Sequence, residues 1–343
     1  TSVAEYAFTF EDEQTTVELS KADLTDKKEL PGASLKVTDE DGNTVDEWVS
    51  KEEAHIIKGL IVVKKYKMTE TKPADGYVTA ESIEFTVENT KEVQKHQMLD
   101  DVTKVEISKK DITDSSEVPG AKLIILDKDG KKVESWTSTD KPHMVEKLPV
   151  GEYTLREEQA PDGYLIAEDV KFTVKDTGKV QKVKMKDAHP YGKLVIKKTD
   201  STSKAALSGA EFELREKESG KVVEKLVTDK TGTATSGKIP IATYKNGKVE
   251  KTVEYILVET KAPNGYELSC KKEEIRFEYK DGKTKVIEIV KEIKNTKSPS
   301  GSTPTGNSPK TGDSTNIWLP ILLAVLSACG IGGVIWYKKK KGN

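Results

Sequence analysis

Apolar and polar residues alternate in short runs along most of this chain. Val17, Leu19 and Lys21 share one parity, as do Val105, Ile107 and Lys109, and Leu194, Ile196 and Lys198. Successive side chains of a strand point to opposite faces, so this alternation predicts half-buried β-strands. Turn signals separate the runs at Asp41-Gly42, Asp129-Gly130, Ser219-Gly220 and Asp281-Gly282. No long 3.6-residue period appears outside residues 317–337, so the expected class is all-β, built from antiparallel sandwiches. The exception is an apolar run of 21 residues at 317–337. As a helix it is about 31 Å long and matches a hydrocarbon core of ~30 Å.

The alternating pattern is repeated three times, which decides the domain count. Val17-Glu-Leu-Ser-Lys21-Ala-Asp23 followed by Leu30-Pro-Gly-Ala33 returns as Val105-Glu-Ile-Ser-Lys109-Lys-Asp111 with Val118-Pro-Gly-Ala121. A third version reads Leu194-Val-Ile-Lys-Lys198-Thr-Asp200 with Leu207-Ser-Gly-Ala210. A second block runs from Tyr66 through Glu70 to Asp75-Gly76-Tyr77, then from Tyr153 through Glu157 to Asp162-Gly163-Tyr164, then from Tyr255 through Glu259 to Asn264-Gly265-Tyr266. The third copy is longer, with its extra residues near 236–251, where Asn246-Gly247 predicts an added hairpin. The expected boundaries are a lead-in strand or end of a preceding region at 1–14, three sandwiches at 15–101, 102–188 and 189–296, a linker at 297–316, a transmembrane helix at 317–337 and a basic tail at 338–343.

Parity places charged groups on the buried face. Lys21, Lys109 and Lys198 each continue an apolar row. Glu70 follows Tyr66 and Met68, Glu157 follows Tyr153 and Leu155, and Glu259 follows Tyr255 and Leu257. In the last strand of each copy Asp100 follows Met98, Asp187 follows Met185 and Asn295 follows Ile293. Lysine, glutamate and aspartate are almost never fully buried unless paired, so the three must meet. One reading is a buried ion-pair cluster, or strand ends whose side chains turn back to water. Asn295 carries no charge, so ion pairing does not cover all three copies.

Amide chemistry covers them. A lysine nitrogen attacks only when neutral, a state held by roughly one in 2,500 free side chains at pH 7. Burial lowers a lysine pKa and raises that of a carboxyl by up to ~3–5 units. A neutral lysine could then attack the Asp or Asn side-chain carbonyl while a protonated glutamate relays protons, giving an isopeptide bond with loss of water or ammonia. The triple, with its Lys-x-Asp, Gly-Ala and Gly-Tyr elements, resembles the CnaB or SpaA-type prealbumin-like domains of Gram-positive adhesins and pilins. That resemblance implies immunoglobulin-like or prealbumin-like sandwiches, with Lys21–Asp100, Lys109–Asp187 and Lys198–Asn295 cross-linked and Glu70, Glu157 and Glu259 catalytic.

The C-terminal region orders three devices: Ser308-Pro309-Lys310-Thr311-Gly312, the apolar span, and Lys338 to Lys341. Lysines directly after the span put the tail in the cytoplasm and the rest outside. A plain single-pass anchor is one reading. The tripartite order resembles a cell-wall sorting signal, with Ser308 where most members carry Leu. It implies that a sortase cleaves after Thr311 and passes it to an amine of peptidoglycan or of a pilin subunit. The chain would sit in the membrane before sorting and at the cell wall afterwards. The sequence opens at Thr1 without a signal peptide, so it is expected to be the C-terminal part of a longer precursor.

Composition narrows the function. The net charge of −2 carries no nucleic-acid footprint. Cys270 is the one cysteine outside the span, so no intrachain disulfide is expected. Four scattered histidines give no metal-ligand spacing, and no cofactor or enzyme activity on an outside substrate is expected. The leading expectation is a stalk that projects an adhesive N-terminal region. Two alternatives are direct binding of a host matrix protein, with the hairpin near Tyr244 as candidate contact, and a pilin subunit.

Overall fold

The computed structural model describes residues 13–299. The pentapeptide at 308–312, the span at 317–337, the basic tail and most of the lead-in segment lie outside these residues. Among the described residues every regular element is a strand, and no helix is long and apolar enough to cross a membrane. Contacts divide the chain into two compact units. The first runs to His189 and includes Tyr244–Glu250 and Asp281–Lys285; the second holds Pro190–Thr243, Lys251–Lys280 and the chain from Val286.

Two sandwiches make up most of the first unit. In the first, strands β1 (Thr16–Asp23), β2 (Ser34–Asp39), β3 (Thr44–Val49), β4 (His55–Lys58), β5 (Lys65–Lys72), β6 (Ile83–Thr86) and β7 (Gln94–Asp100) form sheets ordered β4-β1-β7 and β3-β2-β5-β6. The second repeats the plan with β8 (Lys104–Asp111), β9 (Lys122–Asp127), β10 (Lys132–Thr137), β11 (His143–Glu146), β12 (Gly151–Gln159), β13 (Val170–Val174) and β14 (Gln181–Asp187), ordered β11-β8-β14 and β10-β9-β12-β13. Alternating side chains build each interior. Val17, Leu19, Val37, Met68 and Met98 are at most 1% exposed in the first core, and Leu155, Ile125 and Val174 are fully buried in the second. Each such side chain contributes about 1.5–3 kcal/mol on leaving water.

The third copy of the repeat uses β15 (Tyr191–Asp200), β16 (Glu211–Glu216), β17 (Val222–Val227), β18 (Thr233–Thr235), β19 (Ile239–Pro240), β20 (Ala242–Lys245), β21 (Lys248–Thr252), β22 (Glu254–Lys261), β23 (Glu273–Arg276) and β24 (Val286–Asn295); all but the β20–β21 hairpin lie in the second unit. One sheet is ordered β17-β16-β22-β23, and β15 pairs with β18, β19 and β24 in the other. The extra residues of the third copy form the two-stranded sheet β20-β21. Its turn residues Asn246 and Gly247 both have positive φ, 52° and 69°, the conformation that favours an Asn-Gly pair.

The sandwiches are not wholly antiparallel, contrary to the sequence-based expectation. In each copy the first and last strands are neighbours and run parallel: β1 with β7, β8 with β14, and β15 with β24. A chain that crosses each of the first two sandwiches seven times, reversing between crossings, enters and leaves in one direction. Alternation within single strands carries no record of that pairing. The register sets Asp23 opposite Asp100, Asp111 opposite Asp187 and Asp200 opposite Asn295.

Candidate functional site

Each sandwich closes over one buried triple of side chains. Lys21 comes from β1, Asp100 from the end of β7 in the same sheet, and Glu70 from β5 in the facing sheet. Lys21 is 1%, Glu70 4% and Asp100 1% exposed. The second copy brings together Lys109, Glu157 and Asp187, and the third Lys198, Glu259 and Asn295, all equally buried. Parity places each lysine among core residues. Phe212, for example, has its ring centroid 5.4 Å from Lys198 Nζ.

In all three copies the lysine Nζ contacts Oδ1 of the last-strand residue. The glutamate lies beside both. Glu70 Oε1 is 2.8 Å from Lys21 Nζ, an ion-pair distance without hydrogen-bond geometry. Glu157 Oε2 is 2.9 Å from Lys109 Nζ, and Glu259 Oε1 is 3.0 Å from Lys198 Nζ. Backbone donors hold the glutamates: Ala80 N–H, Ala167 N–H and Ser269 N–H donate to Oε2 at 2.6, 2.7 and 2.9 Å. The donor follows its glutamate by 10 residues each time, so one short segment carries and aims the carboxyl.

Electrostatics separates the copies by their acceptor. Burial pushes the Asp100 carboxyl up to about 7; Lys21 pulls against this and Glu70 adds to it. Burial likewise lifts Asp187 to about 7 beside Lys109 and Glu157. Burial also holds Lys198 below the usual lysine value, against the pull of Glu259. The raised carboxyl is thus the one the lysine faces in the first two copies. Asp100 Oδ2 and Asp187 Oδ2 are buried without a hydrogen-bond partner. An unpaired buried acceptor costs about 1–3 kcal/mol, so a resting ion-pair cluster leaves this geometry unsatisfied. The matching atom in the third copy, Asn295 Nδ2, donates to Glu259 Oε1 at 3.0 Å.

A second constellation escaped the sequence reading, although its residues lie in the repeated Lys-x-Asp and Gly-Tyr motifs. Tyr77 OH donates to Asp23 Oδ2 at 2.8 Å, Tyr164 OH to Asp111 Oδ2 at 2.7 Å and Tyr266 OH to Asp200 Oδ2 at 2.9 Å. Burial of Asp23 and Asp111 works to raise their pKa, but hydrogen bonds to the carboxylate outweigh it and hold both at about 2. Asp200 is also held at about 2, led by the Ser203 backbone and Tyr266. Lys147 Nζ adds a 2.7 Å bond to Tyr77 OH. His189 Nε2 lies 2.9 Å from Asp111 Oδ2. Tyr244, the candidate host contact, stacks on His189 with centroids 3.4 Å apart and donates to Gly163 O at 2.8 Å.

Comparison with known proteins agrees with this architecture. The family model of SpaA, a prealbumin-like fold domain, matches residues 15–101, 103–189 and 192–293. Among solved structures, the Bacillus anthracis TIE protein is 26% identical with a TM-score of 0.55, over 83% of this chain and 52% of its own. The chain therefore spans about half the length of that relative. BcpA, the major pilin subunit of Bacillus cereus, is 18% identical over 83% of this chain and all of its own, with a TM-score of 0.49. The full-length major pilin SpaD of Corynebacterium diphtheriae is 18% identical over 85% and 99%, with a TM-score of 0.38. No curated protein matches the chain.

Proposed function

Since the chain belongs to the SpaA family, with three prealbumin-like domains in tandem, we propose that it is a load-bearing stalk whose domains are welded internally by isopeptide bonds. The observation that carries this reading is the buried triple, above all the acceptor oxygen left without a partner. In the proposed reaction neutral Lys21 Nζ attacks Cγ of Asp100, a C–N bond forms and the C–Oδ2 bond breaks. The unpartnered oxygen leaves as water, taking the acid proton and one from the amine, and the Glu70 carboxyl passes the proton on and is regenerated. Lys109 and Asp187 react in the same way beside Glu157. Lys198 and Asn295 release ammonia instead, which fits the hold of Glu259 on Asn295 Nδ2. Fixed placement of the reactants supplies the rate as effective molarity.

These bonds would close loops with sequence separations of 79, 78 and 97 residues. By analogy with disulfides, each contributes about 4–5 kcal/mol. Anchoring belongs to the same proposal: a sortase acts at Thr311 and transfers the chain to a cell-wall amine, with the stalk projecting an adhesive region from the cell surface. Tyr244 is already engaged by His189 and Gly163, which favours the stalk over a host-binding hairpin. Intact-mass measurement tests the welding. The expected deficit is two waters and one ammonia; an unshifted mass overturns it.

A further inference from the structure

The Asp–Tyr pair recurs in all three domains, and its surroundings point to the cross-link. Each aspartate sits two residues after the reactive lysine and directly opposite the acceptor. Its Oδ1 accepts a backbone N–H two residues ahead: Thr25 at 2.7 Å, Thr113 at 2.7 Å and Thr202 at 2.8 Å. That turn aims the intervening N–H at the acceptor's own carbonyl. Leu24 N–H reaches Asp100 O at 2.8 Å, Ile112 N–H reaches Asp187 O at 3.1 Å, and Ser201 N–H reaches Asn295 O at 2.9 Å.

The tyrosine grips the other side. The residue after it donates to the carbonyl following the acceptor: Val78 to Asp101 O at 2.9 Å, Leu165 to Ala188 O at 2.9 Å and Glu267 to Thr296 O at 3.0 Å. The tyrosine also lies seven residues after the glutamate, within the segment whose N–H group three residues later holds that carboxyl. One phenol–carboxylate bond thus ties together the lysine strand, the acceptor strand and the glutamate loop.

We infer that Asp23–Tyr77, Asp111–Tyr164 and Asp200–Tyr266 are positioning pairs, which fix the acceptor backbone so that its side-chain carbonyl stays against the lysine amine. This rests on the welding reading. It adds that the three-way tie, beyond the buried triple, sets the rate. Small displacements of reacting atoms lower effective molarity steeply, so loss of the tie should slow bond formation by about 10- to 100-fold.

The third domain gives the cleanest test, because among the described residues Asp200 is the one side chain bonded to Tyr266 OH. Chains of all 343 residues carrying Tyr266→Phe or Asp200→Asn would be made by timed cell-free synthesis and followed by intact mass and peptide mapping. Domains 1 and 2 of the same molecule serve as internal clocks. The same substitutions in a Glu259→Ala background, which does not weld, report folding by thermal melting. A purely structural hydrogen bond leaves the rate unchanged at temperatures where the domain is fully folded. The expected result is a folded third domain whose Lys198–Asn295 bond forms slowly while the other two form on time. Asp200→Asn, which keeps an acceptor oxygen, should slow it less than Tyr266→Phe. Wild-type kinetics in a folded variant overturns the inference and leaves the welding intact. Should either variant prevent folding, Tyr77→Phe with the Lys21–Asp100 bond as readout decides in the same way. Absence of any bond in the wild type defeats the welding itself.

Discussion

At the scale of residues, the proposed welding makes three side chains decide the state of each domain. Glu157→Ala removes the proton relay beside Lys109, so the mass should rise by one water beyond the substitution itself. The unlinked second domain should also lose about 4–5 kcal/mol in urea unfolding. The reactive state of a lysine–aspartate pair, neutral amine with neutral acid, holds one proton in total. Below the Asp187 pKa of about 7 the pair takes up a second and the one-proton state is depleted. Welding of the first two domains should therefore slow about tenfold per pH unit below 7, measured by mass after timed synthesis. The carboxyls of the Asp–Tyr pairs are shifted the other way. Asp111 is held at about 2 against an ordinary 3.8. The unfolded chain thus takes up its proton first. The resulting stability is complete above 3.8 and is lost as the pH falls through about 2. Acid titration of a Tyr164→Phe chain should show a shallower loss over that window.

Among elements, the parallel pairing of first and last strands matters most. Lys21 and Asp100 lie at the same end of β1 and β7, so with the proposed bond in place tension entering at Thr16 would cross to Asp100 and leave. The strands between would then carry none of it. Without the bond the same load shears a parallel ladder whose interstrand hydrogen bonds share the force. Packing still sets the fold of each sandwich. Leu155 is fully buried, and Leu155→Ala in a Glu157→Ala chain should cost about 2–5 kcal/mol, read from the denaturation midpoint. Alternation made these strands legible one by one, together with the lysine and glutamate that continue their apolar rows. Alternation alone did not show which strands are neighbours, because parity assigns a face and says nothing of which strand lies alongside. The Asp–Tyr pair was missed for that reason: its residues stand 54 apart in the first copy.

For the molecule as a whole, repetition would turn the proposed local bond into a mechanical property. Pulled from its ends, the wild-type chain should extend without unfolding steps from any of the three domains. A Glu157→Ala chain should release one step on the order of 250 Å as the second domain opens. Single-molecule force spectroscopy reads both, and an identical trace for the two chains would count against the stalk.

The sequence by itself determined the number of repeats, the all-β class and the candidate triples. Strand period and repeated spacing are local properties, written residue by residue. Only the tertiary structure decided that the first and last strands lie parallel and that an acceptor oxygen stays unpartnered. The same holds for the aspartate and tyrosine that grip the acceptor from two sides. Those facts depend on which distant segments become neighbours, and that is settled when two sheets close over a common core.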